Sequence, residues 1–150
     1  AKINKLKFST HANYDIWLTI YLQKEFEHKK KYLSKANFRL IAPVVEEFQT
    51  IVYSRLPKSI VYFDLHRENV MKDVHGNYYI LDLACTDLNY RIFDLGTYMA
   101  LFCLDSKKSV KANIDVFNSV IKTYQEENKL NSYELKILPL VVKGTLASNG

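Results

Sequence analysis

Glycine is scarce in this chain: four in 150 residues, Gly76, Gly96, Gly144 and Gly150. They are too far apart to build a Gly-rich phosphate-cradling loop, and no lysine stands in an apolar strand pattern of the V-A-I-K type. A self-contained nucleotide clamp of that kind is therefore excluded. Cysteine is as sparse. Cys85 and Cys103 show no metal-ligand spacing and imply no disulfide framework. Both read as small buried hydrophobes in a reducing compartment, so a cytoplasmic setting is expected. No apolar run reaches membrane-spanning length, and no signal-peptide pattern is read. Charge is not strongly one-sided: the formal net charge is +5, with the lysines scattered. The densest run, Lys29-Lys30-Lys31, ends a helical pattern, where cations offset the helix dipole. Nucleic acid is not an expected partner.

What is present suits a single domain with a real core. Tyr14, Ile16, Trp17, Ile20 and Tyr21 recur at helical spacing, and Leu18, Leu22 and Phe26 widen the apolar face, predicting a long helix from Asn13 to Lys31. Residues 1–10 read as a linker or edge. Pro43 suits the first turn of a second helix whose buried stripe is Val44, Val45, Phe48, Ile51 and Val52. Leu56-Pro57 should stop it. Ser59–Phe63 is a short apolar approach to a loop. Val70–Lys72 and Tyr78–Leu83 read as strands joined by a turn in which Gly76 supplies positive φ and His75 is a turn residue. Asp94 opens a helix with Leu95, Tyr98, Met99 and Phe102 repeating. Ile114, Phe117, Ile121 and Tyr124 mark another. Ser132 is the expected N-cap of a last helix with Leu135 and Leu138 inward, and Pro139 should kink or break it.

The chemistry concentrates between Val61 and Asp82, VYFDLHRENVMKDVHGNYYILD. Asp64 precedes Asn69 by five residues, and Asp82 follows the hairpin-like insert. One carboxylate can orient a hydroxyl and accept its proton. An amide oxygen and a second carboxylate can hold magnesium, a hard cation that takes oxygen ligands, on nucleotide phosphates. Asp82 ends a largely apolar strand, where an unpaired buried carboxylate is costly, and this favours a functional reading. Asp64 alone would pass for a turn residue and Asn69 for an ordinary loop residue. His66 and Arg67, inside the loop, can neutralise a transferred phosphoryl group. For Arg67 a salt bridge to Glu68 or a solvent-facing role is the alternative. Asp87 either meets a substrate amine or only shapes its loop. Asp94 has the type and place of a helix cap.

In this order, Tyr62-Phe63-Asp64 with Asn69, then Ile80-Leu81-Asp82-Leu83, then Asp94-Leu95-Gly96, the chain resembles the aminoglycoside phosphotransferase family, which shares the protein-kinase fold. The resemblance runs from about Ile60 to the C-terminus. LDLACTDLNYRIFDLGTYMALFC and YQEENKLNSYELKILPL look most like the homoserine kinase branch, while choline and ethanolamine kinases share N-Y-R-x-F-D. The resemblance implies an α+β, mostly α fold: the helical C-terminal lobe of a protein-kinase-like phosphotransferase, with a small β-hairpin carrying the catalytic and metal residues. It implies that residues 1–150 are one catalytic and substrate-binding lobe, and that an N-terminal nucleotide-binding lobe of the same polypeptide is its partner. It implies ATP and Mg²⁺ as cofactors and a small, amine-bearing hydroxyl substrate: homoserine first, choline, ethanolamine or an aminoglycoside as alternatives. Asp64 would be the base, Asn69 and Asp82 the magnesium ligands, and Asp94 a brace for the catalytic loop. The chain departs from the family where Tyr62 replaces a histidine and Phe63 a glycine. Those departures motivate a rival reading, a non-catalytic pseudokinase-type ligand-binding domain.

Overall fold

The computed structural model describes Lys5 and residues 18–149. The architecture is α+β and mostly α. Helix α1 (Leu22–Lys29) lies between single 3₁₀ turns and is followed by α2 (Lys35–Phe48). Four short strands come next: β1 (Lys58–Val61), β2 (Val70–Lys72), β3 (Tyr78–Ile80) and β4 (Asp87–Tyr90). Helix α3 (Arg91–Thr97) runs on as a π-helical segment, Tyr98–Cys103, and α4 (Val110–Glu127) and α5 (Ser132–Asn149) complete the fold. The expected linker, apart from Lys5, and the expected core side chains Tyr14, Ile16 and Trp17 lie outside the described residues.

The strands form two antiparallel ribbons. β2 pairs with β3, Met71 opposite Tyr79, around the turn in which Gly76 has φ +88°. Asp73 organises this turn by accepting from the His75 and Asn77 amides, the Asn77 side chain and the Tyr79 hydroxyl. β1 pairs with β4, Ile60 opposite Leu88 and Val61 opposite Asp87. This second ribbon joins segments that no local signal connects, and it positions the site. It brings the loop after β1 against the first turn of α3, which begins directly after β4.

Helix α5 is the spine of the core. Its Leu138, Val141 and Thr145 are fully or almost fully buried, and α2 and α3 both pack on it. Close approach is allowed by two glycines. A Cβ on Gly96 would collide with Val141, and one on Gly144 with the Phe48 ring. That ring is itself held edge-on to Phe93, 6.2 Å between centroids. Gly144→Ala is therefore expected to overpack the α2–α5 contact, at a cost of roughly 1–3 kcal/mol. Chemical denaturation reads this as a lowered midpoint at unchanged slope; an unchanged midpoint would contradict it.

Several sequence expectations are corrected by packing. Pro43 does not start α2. Ser34 caps it by accepting from the Asn37 amide at 3.1 Å, and Pro43 sits mid-helix on an exposed position. There water can satisfy the carbonyl its missing N–H leaves unpaired. α2 ends at Phe48, well before Leu56-Pro57. Pro139 likewise does not end α5, which continues to Asn149. The N-cap of α5 is Asn131 rather than Ser132. Asn131 Oδ1 accepts from the Tyr133 and Glu134 amides, while Glu134 Oε2 accepts from the Asn131 amide at 2.8 Å. This reciprocal capping box sets the helix phase. Glu134, Ile137 and Leu138 then face inward, leaving Leu135 and, on α4, Ile114 exposed. The strand ending in Asp82 is shorter than expected and is not buried: Tyr78, Tyr79, Ile80, Leu81 and Leu83 are all exposed. Cys85 and Cys103 are half-buried and unpaired as a disulfide.

Candidate active site

The loop after β1 turns sharply. Phe63 has φ +65°, a left-handed conformation that costs a bulky residue on the order of 1–3 kcal/mol. Two features hold it there. The Phe63 ring is buried, and Asp94 Oδ1 accepts from both the Tyr62 and Phe63 amides, each at 3.0 Å. Asp94 is thus no helix cap. It lies in the first turn of α3, buried, and uses its carboxylate to brace the neighbouring loop.

That brace aims Asp64 outward. Its Oδ2 accepts from Asn69 Nδ2 at 2.8 Å, and its backbone carbonyl accepts from the same nitrogen at 3.1 Å. The Asn69 amide nitrogen is spent on Asp64, which leaves Oδ1 as a free-standing acceptor type. On the other side His66 Nε2 lies 3.5 Å from Asp64 Oδ1, and His66 Nδ1 lies 4.0 Å from Glu68. Arg67 Nε donates to the Phe102 carbonyl at 3.2 Å, so the loop is also fastened to the π-helical segment. Arg67 does not pair with Glu68 among the described contacts.

Asp82 follows β3 by two residues with φ +50°. Aspartate tolerates this region better than most residues, and Oδ1 closes a local turn by accepting from the Ala84 amide at 3.1 Å. The sequence had placed this carboxylate at a buried strand end. It is exposed, so desolvation is not what distinguishes it. What distinguishes it is its neighbour Tyr62. This side chain is 1% exposed, and its hydroxyl donates to the carbonyl of Leu81, directly before Asp82. Burial, and then the Asp64 and Asp82 carboxylates, push the Tyr62 phenol up to about 12. It therefore stays protonated and remains a donor at neutral pH. One buried side chain ties the loop bearing Asp64 to the loop bearing Asp82.

The structure thus brings Asp64, Asn69, His66 and Arg67 together on one loop, with Asp94 behind it, and ties that loop through Tyr62 to the segment that carries Asp82. It places Asp87 elsewhere. Asp87 is buried on β4, where its carboxylate accepts from the Leu88 amide and Asn89 Nδ2, and it lines neither cavity beside Asp64. Asp64 opens onto a cavity of about 430 Å³ shared with His66, Arg67, Glu68, Leu101 and Asn149. A small inner cavity of about 40 Å³ continues from Asp64, Leu101 and Asn149 toward Thr97, Thr145 and Thr19. Sequence reading missed Leu101, Thr145 and Asn149 as site residues. Their helical spacing signals core, and nothing local marks them as facing a cavity.

The donor set fits magnesium. Asn69 Oδ1 and the Asp82 carboxylate are hard oxygen donors, and magnesium on a nucleotide needs only one or two protein ligands beside phosphate and water. No cluster of three or more His, Cys, Asp or Glu able to hold a metal by themselves occurs among the described residues. No helix of the described residues is long and apolar enough to cross a membrane.

Comparison with known proteins adds a frame to this geometry. A family model described as "Phosphotransferase enzyme family" matches residues 6–126. A search of curated proteins finds no match. Among solved structures, the choline kinase LicA from Streptococcus pneumoniae is 15% identical with a TM-score of 0.45, over 85% of this chain and 54% of that one. LicA in complex with AMP is 15% identical with a TM-score of 0.49, over 98% and 59% respectively. The chain spans a little over half the length of these structures.

Proposed function

Because the chain belongs to the phosphotransferase enzyme family, we propose that it is the catalytic and substrate-binding lobe of an ATP-dependent small-molecule kinase working in the cytoplasm. The acceptor is a hydroxyl on a small, amine-bearing metabolite, homoserine-like in the first place, with choline or ethanolamine and aminoglycosides as alternatives. The observation that carries this reading is the pairing of Asn69 with Asp64, 2.8 Å apart, on a loop braced by Asp94. The bond leaves Asp64 Oδ1 directed away from Asn69, as a proton acceptor for the incoming hydroxyl requires. The Tyr62 tie to Leu81 supports a shared site, because it links the loop bearing Asp64 and Asn69 to the segment bearing Asp82. Magnesium, when bound by Asn69 and Asp82, neutralises charge on the nucleotide phosphates. The protein's own share is positioning: it orients the hydroxyl on Asp64 and sets His66 beside the reacting groups.

The proposal includes a second, N-terminal lobe of the same polypeptide that closes the nucleotide site. What supports it is the apolar surface around Asp82: Met71, Tyr78, Ile80, Leu81 and Leu83 are each more than 40% exposed. So many exposed apolar side chains on one short segment support a surface that something covers.

Asp82→Asn in the full-length protein tests the reading. Asparagine tolerates the left-handed backbone at this position and its Oδ1 still accepts from Ala84, so the melting temperature should stay level. The magnesium concentration for half-maximal turnover should rise and turnover should fall, since a neutral amide is a weaker ligand than a carboxylate. A parent-like magnesium dependence would remove Asp82 from the metal site. Nucleotide binding without any turnover in the parent would favour the non-catalytic rival.

A further inference from the structure

The acceptor cavity beside Asp64 has an unusual balance of walls. Its ionisable side chains other than the base are Arg67, His66 and the rim carboxylate Glu68, 92% exposed. A polycationic acceptor such as an aminoglycoside needs several carboxylates, and the described lining of this cavity supplies only Glu68 besides Asp64. A quaternary ammonium needs aromatic faces. Among the described residues the rings lining the two cavities are His66 and Phe63, and Phe63 faces the inner one, which has room for no more than a few water molecules.

Arg67 is also unusual in how it is held. Its Nε donates to the Phe102 carbonyl in the π-helical segment. π-helical turns leave carbonyls outside the ordinary helical pairing and recur at functional sites. One edge of the guanidinium is thereby fixed, and the two terminal nitrogens remain as a planar pair of donors at the cavity that Asp64 lines. Such a pair matches a carboxylate bidentately. Asn149 stands in the same cavity with its Nδ2 donating to the Thr145 carbonyl at 2.8 Å, so its Oδ1 is an acceptor. With Glu68 it suits an ammonium group.

We propose that Arg67 determines specificity by binding a carboxylate on the acceptor, so that the substrate class is an amino-acid alcohol: hydroxyl on Asp64, carboxylate on Arg67, ammonium between Asn149 and Glu68. This rests on the phosphotransferase reading above and narrows its substrate. The test uses the full-length protein with Mg-ATP and two matched acceptors, L-homoserine and its decarboxylated analogue 3-aminopropan-1-ol. The parent should prefer homoserine by about tenfold or more in kcat/KM, the size of one charge-assisted contact. Arg67→Gln should collapse that preference, mainly through KM for homoserine. Arg67→Lys, which keeps the charge but not the fork, should restore only part of it.

Equal use of both acceptors by the parent overturns the assignment. So does a kcat loss in Arg67→Gln that is the same for both, which would put Arg67 on the transferred phosphoryl group instead. Magnesium-dependent ATP hydrolysis that is lost in Asp64→Asn reports on the phosphotransferase reading by itself. If it is present without an acceptor preference, only the carboxylate assignment falls; if it is absent, both fall.

Discussion

Asp64→Asn in the full-length protein is expected to lower turnover by roughly 10²–10⁴, the range for removing a general base. The substitution is close to isosteric. Asn69 can still donate to the new Oδ1, and the Asp94 brace acts on the backbone of Tyr62 and Phe63, not on residue 64. The loop should therefore keep its shape, nucleotide affinity should change little, and the melting temperature should hold. Loss of rate at constant stability separates proton acceptance from scaffolding. Near-parent turnover would reduce Asp64 to a loop residue. A large fall in melting temperature would make it structural.

The largest expected effect on stability lies away from the site. Glu134 is completely buried and holds Arg91 bidentately, Nε to Oε1 at 2.8 Å and Nη2 to Oε2 at 2.9 Å. Arg91 also donates to the Lys129 carbonyl, and the same Glu134 closes the Asn131 capping box. The hydrogen bond to Glu134 is the main cause of Arg91's raised pKa. Arg91 opens α3, and Glu134 lies in the first turn of α5, so this one contact joins the helix bearing Asp94 to the spine of the core. Glu134→Ala strands a largely buried guanidinium and an amide together. The expected cost is roughly 3–5 kcal/mol, the size seen when one partner of a buried pair is removed. For a domain of this length that lowers the melting temperature by on the order of 10 °C. Glu134→Gln should lose less, because the amide oxygen still accepts from Asn131. A Glu134→Ala melt within about 2 °C of the parent, the size of a surface substitution, would contradict this account.

The parts of the molecule legible in the sequence are those specified locally. Asp64, Asn69 and Asp82 belong to one short stretch, and the Asp73–Asn77 turn carries its own chemistry in Gly76 and the Asp73 side chain. The hairpin and the pairing of Asp64 with Asn69 therefore follow from spacing and turn rules. What local rules miss is long-range. The β1–β4 ribbon joins Ser59 to Asn89 across the whole hairpin, and no pattern near Asp87–Tyr90 distinguishes a strand from a loop. Pro43 and Pro139 carry strong breaker signals, yet both sit inside helices, because buried Phe48 and Val141 gain more from continuing than one exposed carbonyl loses. Ser132 was a good cap type, but Asn131 won because its neighbour at the third helical position, Glu134, returns the hydrogen bond. Asp82 misled in the opposite direction. Its apolar flanks, Tyr78–Leu81, read as a buried strand, whereas apolar residues on an outer ribbon are exposed until a partner covers them.

The central claim is that Asp64, Asn69 and Asp82 form one metal–nucleotide site. Paramagnetic broadening of backbone amide resonances by Mn²⁺-ADP, on the full-length protein, tests it most directly. The account predicts that amides at Asn69, Asp82 and their sequence neighbours broaden first, and that the effect is lost in Asp82→Asn while the fold is retained. Broadening centred elsewhere, on the Asp73 turn for example, or broadening that persists unchanged in Asp82→Asn, would contradict it.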